Sequence, residues 1–199
     1  MGDAVVKVYD GREVRFCCNG CVKKFEADIA AGFKTIDEQI VVSQMRYYPL
    51  ETCIISDEAF GGDMGEPIEF VYNNRLVRLC CKMCKGEFRD DPDAYLAKLD
   101  EAVTDAQRES YPINTCVVRG GELDAMGGPV EIVVSNRLVK FCCAGCKPDF
   151  EANPSMYLAQ LDAAWNAKGL FMPKDHAEHD GDDDHDDHSG HDHGAHGDG

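Results

Sequence analysis

The chain repeats one cysteine motif three times at a nearly constant interval. Each copy reads Cys-Cys-x-x-Cys with a phenylalanine four residues after the last cysteine, and successive copies start 63 and 62 residues apart. A unit of about 60 residues buries little apolar surface, so it usually depends on disulfides, a metal ion or packing against neighbours. The motifs hold nine of the eleven cysteines: Cys17, Cys18 and Cys21; Cys80, Cys81 and Cys84; Cys142, Cys143 and Cys146.

The two remaining cysteines stand alone upstream of the later motifs. Cys53 precedes the second motif and Cys116 precedes the third at a matching position. The first motif lacks such a partner because Met1 aligns with the internal residues Met64 and Met126. We therefore expect that the chain is truncated in its first unit or that its start codon is misplaced; the alternative is a degenerate first repeat. No signal-peptide pattern opens this sequence, but truncation would leave export of the protein open.

Each unit contains the pattern of a β-hairpin. Two β-prone runs flank the pairs Asp10-Gly11, Asn73-Asn74 and Ser135-Asn136. Most of these residue types tolerate positive φ, which tight hairpin turns require.

A helix is predicted after each cysteine motif. Asp91-Pro92 and Asn153-Pro154 have the form of an N-cap followed by proline at the first helical position, and apolar residues continue at helical spacing. The first unit lacks the proline but keeps the spacing. The sequence thus predicts an α+β chain of three tandem ββα units. We place these units at residues 1–46, 47–109 and 110–170, with a tail at 171–199.

The tail has a different composition from the rest of the chain. It holds every histidine, interleaved with aspartates, and it has no apolar face, so we predict disorder in the absence of metal. Imidazole and carboxylate donors suit Zn(II), Ni(II) and Cu(II), which makes the tail a candidate secondary metal site; the alternative is a solvated acidic tail. Its histidines are His176, His179, His185, His188, His191, His193 and His196.

The spacing of the thiols favours metal ligation over disulfides. Adjacent Cα atoms are about 3.8 Å apart, closer than the usual disulfide range of about 4.4–6.8 Å. Two thiols at a helix start converge on one point, and we expect the helix N-terminus to lower their pKa values. A lone cysteine upstream completes a set of three or four sulfurs. Whether both adjacent cysteines bind is left open, because neighbouring side chains on a strand point to opposite faces.

Composition excludes several classes of function. The net charge of −17 argues against nucleic acid, whose phosphates require a basic surface. No apolar run reaches the roughly 18 residues that a membrane span needs. A thiol enzyme needs a base near its nucleophile, and the repeats contain no histidine, so we predict that the chain is not an enzyme.

The motifs resemble those of the YHS/TRASH family of heavy-metal-binding domains. The resemblance rests on Cys53, Cys80-Cys81-x-x-Cys84, Phe88 and the following Asp-Pro-x-x-Tyr-Leu, and it extends over the three units. It implies treble-clef-like modules, related to a zinc module of a ribosomal large-subunit protein, in which a lone cysteine and a Cys-x-x-x-Cys pair bind the metal. The ligands so implied are Cys53, Cys80 and Cys84; Cys116, Cys142 and Cys146; and Cys17 and Cys21. Where some relatives have a second early cysteine, this chain has Ser56 or Arg119.

The sequence therefore predicts a metal-binding protein. Its expected role is the capture, buffering or delivery of Zn(II), with Cu(I) or Cu(II) as the other candidates. Its expected partners are metal ions and a metal transporter or metalloprotein. The alternative is a scaffold for protein interactions in which zinc is purely structural.

Overall fold

A computed structural model describes residues 4–62 and 65–171 of the protein. It is an α+β structure of three hairpin-plus-helix units, each with a cysteine cluster. The predicted histidine tail, apart from its first residue, lies outside the described residues, as do Met1 and Met64. No helix in the described ranges is both long and apolar enough to cross a bilayer.

The first unit has two strands and two helices. Its elements are β1 (Val5–Tyr9), β2 (Arg12–Phe16), α1 (Asn19–Ala27) and α2 (Ile29–Met45). The cysteine motif joins β2 to α1, and Asp28 caps α2 by accepting a hydrogen bond from the backbone N–H of Ala31. A helix therefore begins here without the proline of the other units.

The second unit repeats this order. Its elements are β3 (Ile68–Tyr72), β4 (Arg75–Leu79), α3 (Lys82–Asp90) and α4 (Pro92–Arg108). Pro92 is at the first helical position of α4, and the Asp91 side chain accepts from the N–H of Ala94. The predicted N-cap is confirmed here.

The third unit keeps this order but differs in how its first helix starts. Its elements are β5 (Val130–Val134), β6 (Arg137–Phe141), a 3-10 turn (Ala144–Cys146), α5 (Lys147–Ala152) and α6 (Pro154–Ala167). The helix predicted after Asn153-Pro154 is confirmed as α6, although the Asn153 side chain does not cap it.

The three predicted hairpins are confirmed. In each, both turn residues have positive φ: 49° and 81° at Asp10-Gly11, 46° and 63° at Asn73-Asn74, and 52° and 59° at Ser135-Asn136. Such turns match the right-handed twist of the strands they join. In every unit the cysteine motif therefore occupies the same position, directly after the second strand of the hairpin.

The long helix of one unit packs on the hairpin of the next. Helix α2 contacts β3 and β4, and α4 contacts β5 and β6. Gln44 and Gln107, near the ends of these helices, are buried and bind the neighbouring hairpin. The Gln44 amide donates to the carbonyl of Asn74 and accepts from the N–H of Leu76, each at 2.9 Å.

Polar contacts also join successive hairpins. Asn74 donates to the carbonyl of Glu13 at 2.9 Å, and Asn136 donates to the carbonyl of Leu76 at 3.1 Å. Arg12 and Arg75 donate to the same two asparagine side chains in turn. The units therefore stack through a repeated network as well as through apolar contacts, which suits units too small to support separate large cores.

Candidate metal centres

The second unit brings the sulfurs of four cysteines close together. The Sγ atoms of Cys53, Cys80 and Cys84 all lie within 4.8 Å of one another, and all three side chains are buried. The Cys80–Cys84 and Cys81–Cys84 Sγ distances are both 3.6 Å. Cys81 is only partly buried. The Cys84 sulfur therefore lies within 4.8 Å of each of the other three sulfurs.

A tight turn brings Cys53 to this cluster. The Cys53 N–H donates to the carbonyl of Glu58 at 2.8 Å, and its own carbonyl accepts from Asp57 at 2.9 Å. Asp57 has a φ of 59°, which lets the chain reverse. A bridge between Thr52 and Ala59 closes the turn. The lone cysteine is thus held at the cluster by the backbone hydrogen bonds of this turn.

The third unit has the same arrangement. Cys116, Cys142 and Cys146 are buried and their Sγ atoms lie within 4.8 Å of one another. The distances from Cys146 are 3.7 Å to Cys116, 3.7 Å to Cys142 and 3.8 Å to Cys143. Here Gly120, with a φ of 69°, takes the place of Asp57 in the turn. Two different turn sequences therefore place a lone sulfur at equivalent positions.

The first unit forms a cluster of three sulfurs. The Sγ distances are 3.4 Å between Cys17 and Cys21, 3.8 Å between Cys18 and Cys21, and 4.0 Å between Cys17 and Cys18. All three side chains are exposed. No further sulfur joins them among the described residues.

These separations fit the dimensions of a thiolate metal site. Four sulfurs bound tetrahedrally about 2.3 Å from a zinc ion lie about 3.8 Å from one another. The closest Sγ–Sγ pairs lie 3.4–4.0 Å apart, close to that edge length, and the groups of three lie within 4.8 Å. All eleven thiols are free. Each cluster could therefore hold a metal ion.

Backbone donors favour a thiolate at the lone cysteines. Burial by itself raises the pKa of Cys53, but N–H groups that include those of Ser56 and Cys80 bond to its sulfur and bring the pKa down to about 7. Cys116 follows the same pattern, with its pKa lowered to about 7 by the backbone of Arg119 and Cys142 against the effect of burial. These turns therefore stabilise a negative charge in each buried cluster.

The helix N-terminus does not lower the pKa of both motif thiols as expected. The pKa of Cys81 is lowered, first by the backbone N–H of Cys84. By contrast, burial and the sulfurs of Cys80 and Cys81 raise the pKa of Cys84.

In the other two clusters, too, the pKa of the last motif cysteine is raised, contrary to the expectation that the helix N-terminus would lower it. Burial and the neighbouring sulfurs raise the pKa of Cys146 to about 12. In the open cluster, Cys17 and then Cys18 raise the pKa of Cys21 to about 11. Crowded sulfurs cannot all ionise unless a cation offsets their repulsion.

The two buried clusters differ in one neighbour. In the second unit the Ser56 hydroxyl lies 3.3 Å from the Cys80 sulfur. The third unit has Arg119 there, which pairs with Asp149 at 3.8 Å. The sequence analysis singled out both positions but did not predict that Ser56 would contact a cluster sulfur.

Comparison of the chain with protein-family models, with curated proteins and with solved structures gives no match. The kind of ligand that the clusters can bind is therefore inferred from the chemistry of their thiols. Three groups of closely spaced thiols can bind a thiophilic cation.

Zinc binding by the two buried clusters is expected to depend steeply on pH. A thiol must lose its proton to bind, and the raised pKa values of Cys84 and Cys146 mean that each site releases at least one proton at neutral pH. Apparent affinity should fall at least about tenfold per unit as the pH drops from about 9 to about 7. Below about pH 7, Cys53 and Cys116 also take up protons and the slope should steepen. Competition titrations in reducing buffer measure this, and a flat profile would contradict it.

Proposed function

We propose that the protein is a non-enzymatic metal-handling protein that binds zinc, or copper, through its three cysteine clusters. The ion is its cargo, and a metal transporter or metalloprotein is the expected partner. The histidine tail would act as a second, weaker binding region. The observation that supports this function best is the convergence of three Sγ atoms within 4.8 Å of one another in every cluster.

The chemistry of the donors favours zinc or copper over harder cations. Thiolates select Zn(II), Cu(I) and iron–sulfur clusters, whereas Mg(II) and Ca(II) require oxygen ligands. Among the described residues, the buried clusters bring together thiol sulfurs and, in the second unit, one nearby hydroxyl. The metal should therefore bind as a thiolate complex.

We further propose that the second and third units are treble-clef-like modules of the YHS/TRASH type. The support is the order of the parts: a tight turn with a lone cysteine, then a hairpin, then a helix that begins at a cysteine motif. In the first unit the described residues provide only the hairpin and helix.

Metal content tests the proposed function. The protein, purified under reducing conditions, should retain zinc or copper in elemental analysis, and native mass spectrometry should show whole-number binding. To separate the tail from the clusters, the same measurement is made on the full chain with its seven histidines replaced by asparagine. Retention of metal by that variant supports the proposal. A variant that binds zinc only near millimolar concentrations would refute it.

A second candidate is a scaffold in which zinc is structural. The burial of Cys53, Cys80 and Cys84 in the same apolar cluster as Leu79 and Phe88 favours it. In that case a chelator should unfold the protein as it removes the metal. Under the metal-handling proposal the emptied protein should keep its helical circular dichroism.

A further inference from the structure

In the second and third units, one cysteine of the motif lies outside the compact group of sulfurs. The three Sγ atoms of the second unit that all lie within 4.8 Å of one another are those of Cys53, Cys80 and Cys84. Cys81 is not one of them, although its Sγ lies 3.6 Å from that of Cys84. Metal binding by this group of three therefore leaves the role of Cys81 unexplained.

This cysteine is also the one that solvent can reach. Cys81 is partly exposed, whereas Cys53, Cys80 and Cys84 are buried. Reactive cysteines occupy partly exposed positions, and buried structural cysteines are inert. A reagent that approaches from solvent should therefore meet the Cys81 sulfur first.

The third unit repeats this arrangement. Cys143 is partly exposed and lies outside the buried group of Cys116, Cys142 and Cys146. Its Sγ is 3.8 Å from that of Cys146. Helix α3 begins directly after Cys81, whereas a 3-10 turn follows Cys143. A partly exposed sulfur thus lies beside a buried one in both units, although the local structure differs.

Each partly exposed sulfur can form a disulfide with the buried sulfur beside it. In both units two residues separate these cysteines, which is the spacing of redox-active Cys-x-x-Cys motifs. At Sγ distances of 3.6 and 3.8 Å, side-chain rotation can bring the sulfurs to a bond length of about 2.05 Å. A bond between adjacent cysteines would be strained, because their Cα atoms are only about 3.8 Å apart. The favoured pairs are Cys81–Cys84 and Cys143–Cys146.

We propose that Cys81–Cys84 and Cys143–Cys146 are redox pairs, and that their oxidation by a small disulfide releases the metal ion from the second and third units. The release of metal rests on the proposed metal-handling function. Cys84 and Cys146 belong to the buried groups that bind the ion, and a metal ligand must be a thiolate. A sulfur that enters a disulfide is therefore lost to the metal.

The reaction is a thiol–disulfide exchange in two steps. In the second unit the Cys81 sulfur gives its proton to solvent and attacks one sulfur of the small disulfide, which forms a mixed disulfide and releases a thiolate. The Cys84 sulfur then leaves the metal with its electron pair and attacks the Cys81 sulfur, which releases the second thiolate. Two electrons pass from the two cysteines to the small disulfide, and both released thiolates take protons from solvent. The oxidation state of the metal does not change, and a dithiol reductant reverses both steps.

Zinc release by glutathione disulfide tests this proposal. The full chain with its seven histidines replaced by asparagine is loaded with zinc, freed of reductant and mixed with excess glutathione disulfide without oxygen, and a zinc indicator follows the release. The same chain with Cys81→Ser and Cys143→Ser should keep its zinc before the reagent is added. Its second and third clusters should then release zinc at least about tenfold more slowly, because the exchange depends on access to the attacking sulfur. The first cluster is the same in both chains, so the difference of two equivalents belongs to the later units.

Met83→Ser is the matched control for this experiment. It removes an exposed sulfur within the second motif and should leave the rate of zinc release unchanged. Dithiothreitol should restore zinc binding in the oxidised chain.

Mass spectrometry of peptides from the oxidised chain, digested without reduction, identifies the bonds and requires no substitution in the motifs. The expected cross-links are Cys81–Cys84 and Cys143–Cys146. Disulfides between other cysteines of these units, equal release rates with and without the double substitution, or loss of zinc from the substituted chain before oxidation would overturn the redox pairs alone. A chain that binds no zinc at any cluster would overturn the proposed function, and the same peptide map of the metal-free protein would still show whether the pairs form.

Discussion

Replacing Cys84 with serine is expected to abolish tight zinc binding in the second unit. Its sulfur lies 3.6 Å from those of both Cys80 and Cys81 and within 4.8 Å of that of Cys53. Loss of even an outer partner of a metal ligand costs about 10–100-fold in affinity, and loss of a ligand itself should cost at least about 100-fold. Native mass spectrometry should show one zinc fewer than in the unsubstituted chain. Zinc competition titration should show the lost affinity.

Met83→Ser is the matched control for this experiment. Met83 precedes Cys84 and its side chain is 79% exposed, so the substitution removes a sulfur without touching the cluster. Its zinc content should equal that of the unsubstituted chain. If Cys84→Ser kept its zinc with unchanged affinity, the second cluster would not be a metal site.

Replacing Gln107 with alanine is expected to lower the free energy of unfolding by about 3 kcal/mol. Its side chain is fully buried. Its amide donates to the carbonyls of Tyr47 and Asn136 at 3.3 and 2.9 Å and accepts from the N–H of Leu138 at 2.8 Å. Alanine would leave these three backbone groups without that partner in the interior, and each buried unpaired group costs about 1–3 kcal/mol.

Urea unfolding followed by circular dichroism measures this loss. Because Gln107 joins the second unit to the third, the transition should also broaden as the units lose their coupling. Gln160→Ala is the control, since Gln160 is exposed on α6. A loss below about 0.5 kcal/mol, the range of ordinary surface substitutions, would show that this contact does not stabilise the stack.

The local features of the fold could be predicted because local residue types determine them. Asn73-Asn74 tolerates the positive φ that the turn requires, and Pro92 has a fixed φ and no N–H to satisfy at a helix start. Neither property depends on the rest of the chain.

The contacts between units could not be predicted from local patterns. Tyr47 begins the segment assigned to the second unit, yet it is fully buried in the core of the third, where its hydroxyl binds Asp162 at 2.8 Å. Gln44 and Gln107 share the 63-residue interval of the cysteines, which is a signal that an alignment of the units could have used. However, polar residues on a helix usually face solvent. Gln44 and Gln107 are buried because the hairpin of the next unit packs on them.

The candidate sites were partly accessible to sequence reasoning. The sequence shows which cysteines can meet, but not that Cys17 is exposed while Cys80 is buried. In the later units Cys53 and Cys116 lie in the same buried apolar clusters as the motif cysteines. The pKa values likewise depend on position within the cluster: burial and the neighbouring sulfurs raise the pKa of Cys84, whereas at Cys53 backbone donors outweigh the effect of burial and lower it.

X-ray absorption at the zinc edge tests the central claim most directly. The sample is the full chain, loaded with zinc, in which the seven histidines are replaced by asparagine. If the clustered thiols hold the ion, the first coordination shell should be dominated by sulfur at about 2.3 Å. A first shell made only of oxygen or nitrogen at about 2.0–2.2 Å would contradict it.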